Sequence, residues 1–156
     1  MNKYKPLIMI CAMVVVLLGL NPSSVQAGIT FDKTLYGTTF DDAISQVTDF
    51  LSEKGFHLVA TIDVQKTMKE TIDKEMHPYT ILQVSSPRHA FQALSLENKV
   101  GSILVYINIV VQETAHSQVE VSTIDPVSLV HAVQNPQFAD VAQEIRQLIR
   151  EVINGL

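Results

Sequence analysis

The sequence predicts a single α+β domain: a mixed, mostly antiparallel sheet of about five strands with helices packed on it. Three observations lead there. Apolar residues recur with period 2 in some segments and near 3.6 in others, and the two kinds alternate as β-α-β-α-β-α-β-β-α. The last two strand-like segments are joined by a short polar turn, so they read as an antiparallel hairpin. The chain has 156 residues, 47% hydrophobic and 17% charged, a globular composition and a length for one ordinary domain.

Residues 1–27 stand apart from this domain. Lys3 and Lys5 precede the uncharged apolar run LIMICAMVVVLLGL, Leu7 to Leu20, of 14 residues. NPSSVQA follows, with Val25 and Ala27 at the small-residue positions of a cleavage site. This is the three-part pattern of a secretory signal peptide. The run is short of the roughly 20 apolar residues that span a bilayer. The expectation is cleavage after Ala27 and a periplasmic or extracellular domain over residues 28–156. Ile10 before Cys11 is not small, which argues against a lipid-modified cysteine.

Cleavage has two consequences. Cys11 is the only cysteine, so the domain has no disulfide, thiol nucleophile or thiolate metal site. Without Lys3 and Lys5, 9 basic residues face 16 acidic ones, a net charge of −7. Such a surface disfavours nucleic acid and anionic membranes as partners.

The elements follow in order. Gly28–Gly37 reads as a strand. Thr39 is placed to cap a helix from Phe40 to about Lys54, with Asp42 three residues on and Gly55 as the stop. Phe56–Val64 reads as a strand, and Asp63 opens a polar helical stretch with a thin stripe of Val64, Met68 and Ile72. Tyr79–Ser86 reads as a strand and Pro87–Asn98 as a short helix. Val100–Glu113 is long, β-branched and uncharged to its end, the pattern of a central strand. Gln118–Asp125 alternates and pairs with it. Val127–Gln134 reads as a helical turn. A final helix begins at Pro136, with Phe138, Val141, Ala142, Ile145, Leu148, Ile149 and Val152 on one face.

The stretch SSPRHA, Ser85 to Ala90, is the main candidate site. At a strand-to-helix turn Ser86 suits the N-cap and Pro87 the first helical position, which accounts for both without any function. The functional reading gathers Ser85, Ser86, Arg88 and His89 around the positive end of a helix, as a site for a small polar or anionic ligand. A third reading makes a serine the nucleophile of a hydrolase-like enzyme using Ser85, Ser86 and His89. It lacks G-x-S-x-G, and it requires an imidazole within hydrogen-bond reach of a serine hydroxyl.

The other chemistry-bearing residues read as structural. His57, His77, His89, His116 and His131 show no metal-binding spacing. Asp63 and Asp125 fall at strand ends, where aspartate caps helices and forms turns. Met68, Ile72 and Met76 read as core. No Gly-rich phosphate loop is present, and no cofactor is expected.

Three segments carry a family resemblance: TFDDAISQVTDFLSEKGFHLVATIDV, YTILQVSSPRHAFQAL, and VGSILVYINIVV followed by VEVSTIDP and the closing helix. Together, from about Thr38 to Ile153, the chain resembles the domain of unknown function DUF302. The resemblance implies a small α+β domain, commonly dimeric, with no established activity. Many members carry Cys-Asn before the proline, where Ser85 and Ser86 stand here, and Pro-Cys in the long strand, where Val105 and Tyr106 stand. The resemblance therefore implies a divergent exported member. The favoured expectation is a non-enzymatic homodimer that binds a small ligand or a partner protein; the alternative is the enzyme at Ser85, Ser86 and His89.

Overall fold

A computed structural model of the chain describes residues 29–99, 103–130 and 135–156. Among these residues the elements are β1 (Thr30–Tyr36), α1 (Phe40–Glu53), β2 (His57–Asp63), α2 (Val64–Ile72), β3 (Tyr79–Ser85), α3 (Pro87–Leu96), β4 (Ile107–Ala115), β5 (Gln118–Ile124), α4 (Pro126–Val130) and α5 (Phe138–Gly155). The leader expected over residues 1–27 lies outside the described residues, as do His131 and Val100 to Ser102.

The strands form one five-stranded sheet in the order β1-β5-β4-β3-β2. Every neighbouring pair is antiparallel, so the mixed character expected from the sequence is absent among the described strands. The β4–β5 hairpin turns through His116 and Ser117, with Ser117 at φ 58°.

Alternation decides which face is covered. Leu82, Ile109 and Thr123 lie side by side across β3, β4 and β5 and are buried, as are Val84, Val111 and Val121 on the same face. The intervening Ile81, Gln83, Val110, Gln112 and Ser122 are half-buried. Ala43, Val47 and Leu51 of α1 close over the buried face, together with Phe138, Ala142, Ile145, Ile149 and Val152 of α5. These are the residues whose 3.6-residue spacing marks them in the sequence; Leu148 packs against the core half-buried.

Local chemistry sets the boundaries. Thr39 Oγ1 accepts from the Asp42 amide at 3.1 Å and donates to Asp42 Oδ2 at 2.7 Å. At the other end of α1, Gly55 takes φ 79°. Its amide donates to the Ser52 carbonyl at 3.0 Å and the Phe56 amide to that of Leu51 at 2.9 Å, the paired bonds of a Schellman end. Asp63 caps α2 through the Lys66 amide at 2.8 Å.

The long strand expected from Val100 is corrected. β4 begins at Ile107, and Ile103–Tyr106 are turn and bend. Two neighbours run out there. β3 ends at Ser85, because Pro87 starts a helix, and its last partner on β4 is Ile107, opposite Val84. On the other side Asp125-Pro126 ends β5. Ile103–Tyr106 therefore have no ladder beside them to join, whatever their β propensity.

Candidate functional site

Ser85, Ser86, Arg88 and His89 all fall at the junction of β3 and α3. The handover is abrupt because Ser86 keeps extended backbone, φ −100° and ψ 106°, and Pro87 is already helical. The side chains then diverge. Ser85 Oγ donates across to the Val105 carbonyl at 2.8 Å. Thus the serine before the junction touches the segment leading into β4.

Ser86 occupies the N-cap position but makes no side-chain cap bond, which corrects the simple capping expectation. Its hydroxyl lies 2.8 Å from His89 Nδ1. A histidine three residues into the helix is within reach and competes with the free amides. His89 Nε2 in turn lies 3.2 Å from Glu144 Oε2 on α5. A carboxylate only accepts, so it holds the proton of the neutral imidazole on Nε2. Nδ1 is then the acceptor for the Ser86 hydroxyl. The result is a directed chain, Ser86 to His89 to Glu144, linking the start of α3 to the middle of α5.

Burial separates the members. Ser86 is 8% exposed and His89 6%. Arg88 points outward, its side chain 75% exposed, with a loose ion pair to Glu144 at 3.8 Å. Of the four candidate residues Arg88 is the exposed one, with Ser85 half-buried. Glu144 was not legible as a member, since it lies 55 residues from His89 on the solvent side of an amphipathic helix. His89 did carry a signal: it shares a helical face with Ala93, four residues on, and both are buried.

The remaining candidates stay apart. His57, His77 and His116 are exposed on separate elements. Among the described residues no cluster of three or more His, Cys, Asp or Glu could hold a metal ion, and no helix is long and apolar enough to cross a membrane. Asp125 is buried; its Oδ2 meets the Arg146 guanidinium at 2.9 Å and its Oδ1 accepts from the Val127 amide at 3.0 Å, capping α4.

Chemically, the junction can do two things. A hydroxyl hydrogen-bonded to a carboxylate-oriented imidazole is the arrangement of an activated nucleophile. Yet the residue after Ser86 is Pro87, which has no N–H, so the backbone donor that follows the nucleophile in an elbow is missing. The same three groups also serve as a buried polar tie between two helices, with the inner hydrogen-bonding positions satisfied.

The comparisons fit this fold. The family model for the domain of unknown function DUF302 matches residues 31–156. The crystal structure of an uncharacterized conserved DUF302 protein from Bacillus stearothermophilus is similar with a TM-score of 0.74 and 20% sequence identity, covering 81% of this chain and 96% of that one. No curated protein matches. With the family model spanning the described domain from β1 to the end of α5, the chain belongs to the DUF302 family.

Proposed function

We propose that the chain is an exported, non-enzymatic interaction domain that works as a homodimer. The observation that carries this reading is the β2 edge. Among the described residues β2 is the last strand of the sheet, so one side of its backbone has no described strand to pair with. Leu58, Val59 and Ile62 on it are 45, 50 and 40% exposed. Native edges are usually blunted by charged side chains, lysine above all, or proline; HLVATID contains no lysine or proline, carries a charge only at its last residue, Asp63, and has one irregularity between Leu58 and Ala60. A second copy offers the same strand and the same apolar side chains, which suits a two-fold contact. Sedimentation at micromolar concentration should give a dimer, and Val59→Lys with Ile62→Lys should give a folded monomer. A wild-type monomer overturns the proposal.

A small polar or anionic ligand at Ser85, Ser86, Arg88 and His89 belongs to the same reading, with Arg88 as the accessible contact. Native mass spectrometry of the purified protein tests it: an added mass lost in Arg88→Ala supports it, and a clean apo mass removes it.

The Ser86–His89–Glu144 chain favours a second reading, a hydrolase-like enzyme with Ser86 as nucleophile. The burial of Ser86 and the proline after it weigh against this. Labelling by a fluorophosphonate that disappears in Ser86→Ala would establish it over the non-enzymatic reading.

A further inference from the structure

Where β4 begins and β5 ends, the chain leaves a cleft of ≈ 260 Å³. Leu104, Ile107, Thr123 and Pro126 on its lining are buried, while Tyr106 and Ile124 stand 46 and 45% exposed. The cleft exists for the reason that β4 starts late. The segment before Ile107 leaves the sheet and α4 follows β5 at once, so the ends of two strands are left between two connecting segments.

We propose that this cleft is a binding site for a small, neutral, largely apolar ring compound. The lining is mostly aliphatic, which favours transfer of an apolar body from water. An apolar cavity of about 150 Å³ accepts benzene, so this one has room for a bicyclic molecule. Among the described residues that line it, none carries a charge. The Thr123 hydroxyl already donates to the Asn108 carbonyl at 2.9 Å. The carboxylate of Asp125, between Ile124 and Pro126, is engaged by Arg146 and by the Val127 amide. An ion entering here would lose its hydration with no partner in return. At the rim, the Tyr106 phenol and the Asn108 amide can hold one polar group of the ligand, which gives it an orientation. Such an occupant would also cover the apolar surface of Tyr106 and Ile124.

This site is independent of the β2 contact, and its test reads different atoms. The probe is 2-naphthol, added to the purified protein and followed through side-chain methyl NMR signals. The expected result is saturable shifts at Ile103, Leu104, Ile107, Ile124 and Leu129, with the signals of Leu58, Val59 and Ile62 unmoved. Naphthalene-2-sulfonate, the same rings with a charge, should bind at least tenfold more weakly. Ile124→Glu, a change at the exposed rim that the fold should tolerate, should weaken 2-naphthol at least tenfold. Tyr106→Ala is a second rim variant and should weaken it severalfold. Absence of saturable shifts up to the probe's solubility, equal binding of the sulfonate, or full binding by a folded Ile124→Glu protein each overturns the proposal.

Discussion

Arg146 reaches from α5 to Asp125 with 2.9 Å between guanidinium nitrogen and carboxylate oxygen, and so ties the last helix to the residue that closes the sheet. Asp125 is buried, and its own backbone is fixed as well: its amide donates to the Ile29 carbonyl at 2.7 Å and its carbonyl accepts from the Ser128 amide at 3.0 Å and the Ser128 hydroxyl at 2.6 Å. Among the described residues, removing the carboxylate leaves Arg146, whose Nε has no hydrogen-bond partner there, with no ion pair. Asp125→Ala should lower unfolding stability by about 3 kcal/mol. Asp125→Asn keeps an acceptor for the Val127 amide and should lose about 1 kcal/mol less. Urea titrations of the two variants check the order; equal losses would show that the capping bond contributes nothing.

The tie from α3 to α5 gives a second expectation. Ser86→Ala leaves His89 Nδ1 buried without its donor, and the cost should be about 1–2 kcal/mol. Glu144→Gln keeps an acceptor for Nε2–H and, on a side chain that is half exposed, should cost well under that. Denaturant midpoints of the single and double variants would reveal coupling through His89. Additive losses would mean that the three groups do not act as a chain.

Gly55 offers a test free of packing. Its φ of 79° is unfavourable for any residue with a Cβ, yet a Cβ there would meet nothing within 4 Å. Gly55→Ala should therefore cost about 1–2 kcal/mol through backbone conformation alone. Gly155→Ala is the contrast, with ordinary backbone but a Cβ placed 2.9 Å from the Phe50 ring. Its cost depends on whether the Phe50 ring can shift, and thermal melts of the pair separate the two causes.

Lys54 and Glu151 join the end of α1 to α5 at 2.6 Å. The hydrogen bond from the Lys54 ammonium, with its charge, holds the Glu151 carboxyl below its usual 4.5. A lowered value means that folding favours the ionised form. The contribution is complete above the ordinary glutamate value and is lost as pH falls through the lowered one. The difference in urea midpoint between wild type and Glu151→Gln should be greatest at neutral pH and vanish in acid. It should also be small, because the pair is solvent-exposed and screened by salt. A difference that grows in acid would contradict the assignment.

α1 was the most legible element, because it announces itself twice, by the spacing of Ala43, Val47 and Leu51 and by its ends; α2 is announced by its Asp63 cap alone, since none of its residues is buried and Ile72, read as core, is 60% exposed. Thr39, Asp63 and Gly55 stand where their chemistry requires, and the core face of α5 follows from period alone. β4 was misread at its start because strand propensity is local, whereas a strand ends where its neighbours end; nothing in GSILVY tells that β3 has already turned into a helix. The candidate residues were found together, since Ser85 to His89 are close in sequence. Glu144 and the cleft beside Tyr106 were not, as both arise from elements that meet only in three dimensions.

The strand order has a consequence for how the molecule comes together. β1 pairs with β5, Tyr36 opposite Gln118, across roughly eighty residues of chain. During synthesis β1 emerges first and has no partner until nearly the whole domain has followed. Local pairs such as β4–β5 can close early, whereas the loop that brings in β1 is the longest and entropically least favoured. Asp32 and Lys33 within TFDKTLY keep the waiting segment from being a purely apolar, aggregation-prone strand. The pairing of β1 therefore waits for β5, which is complete only at Ile124.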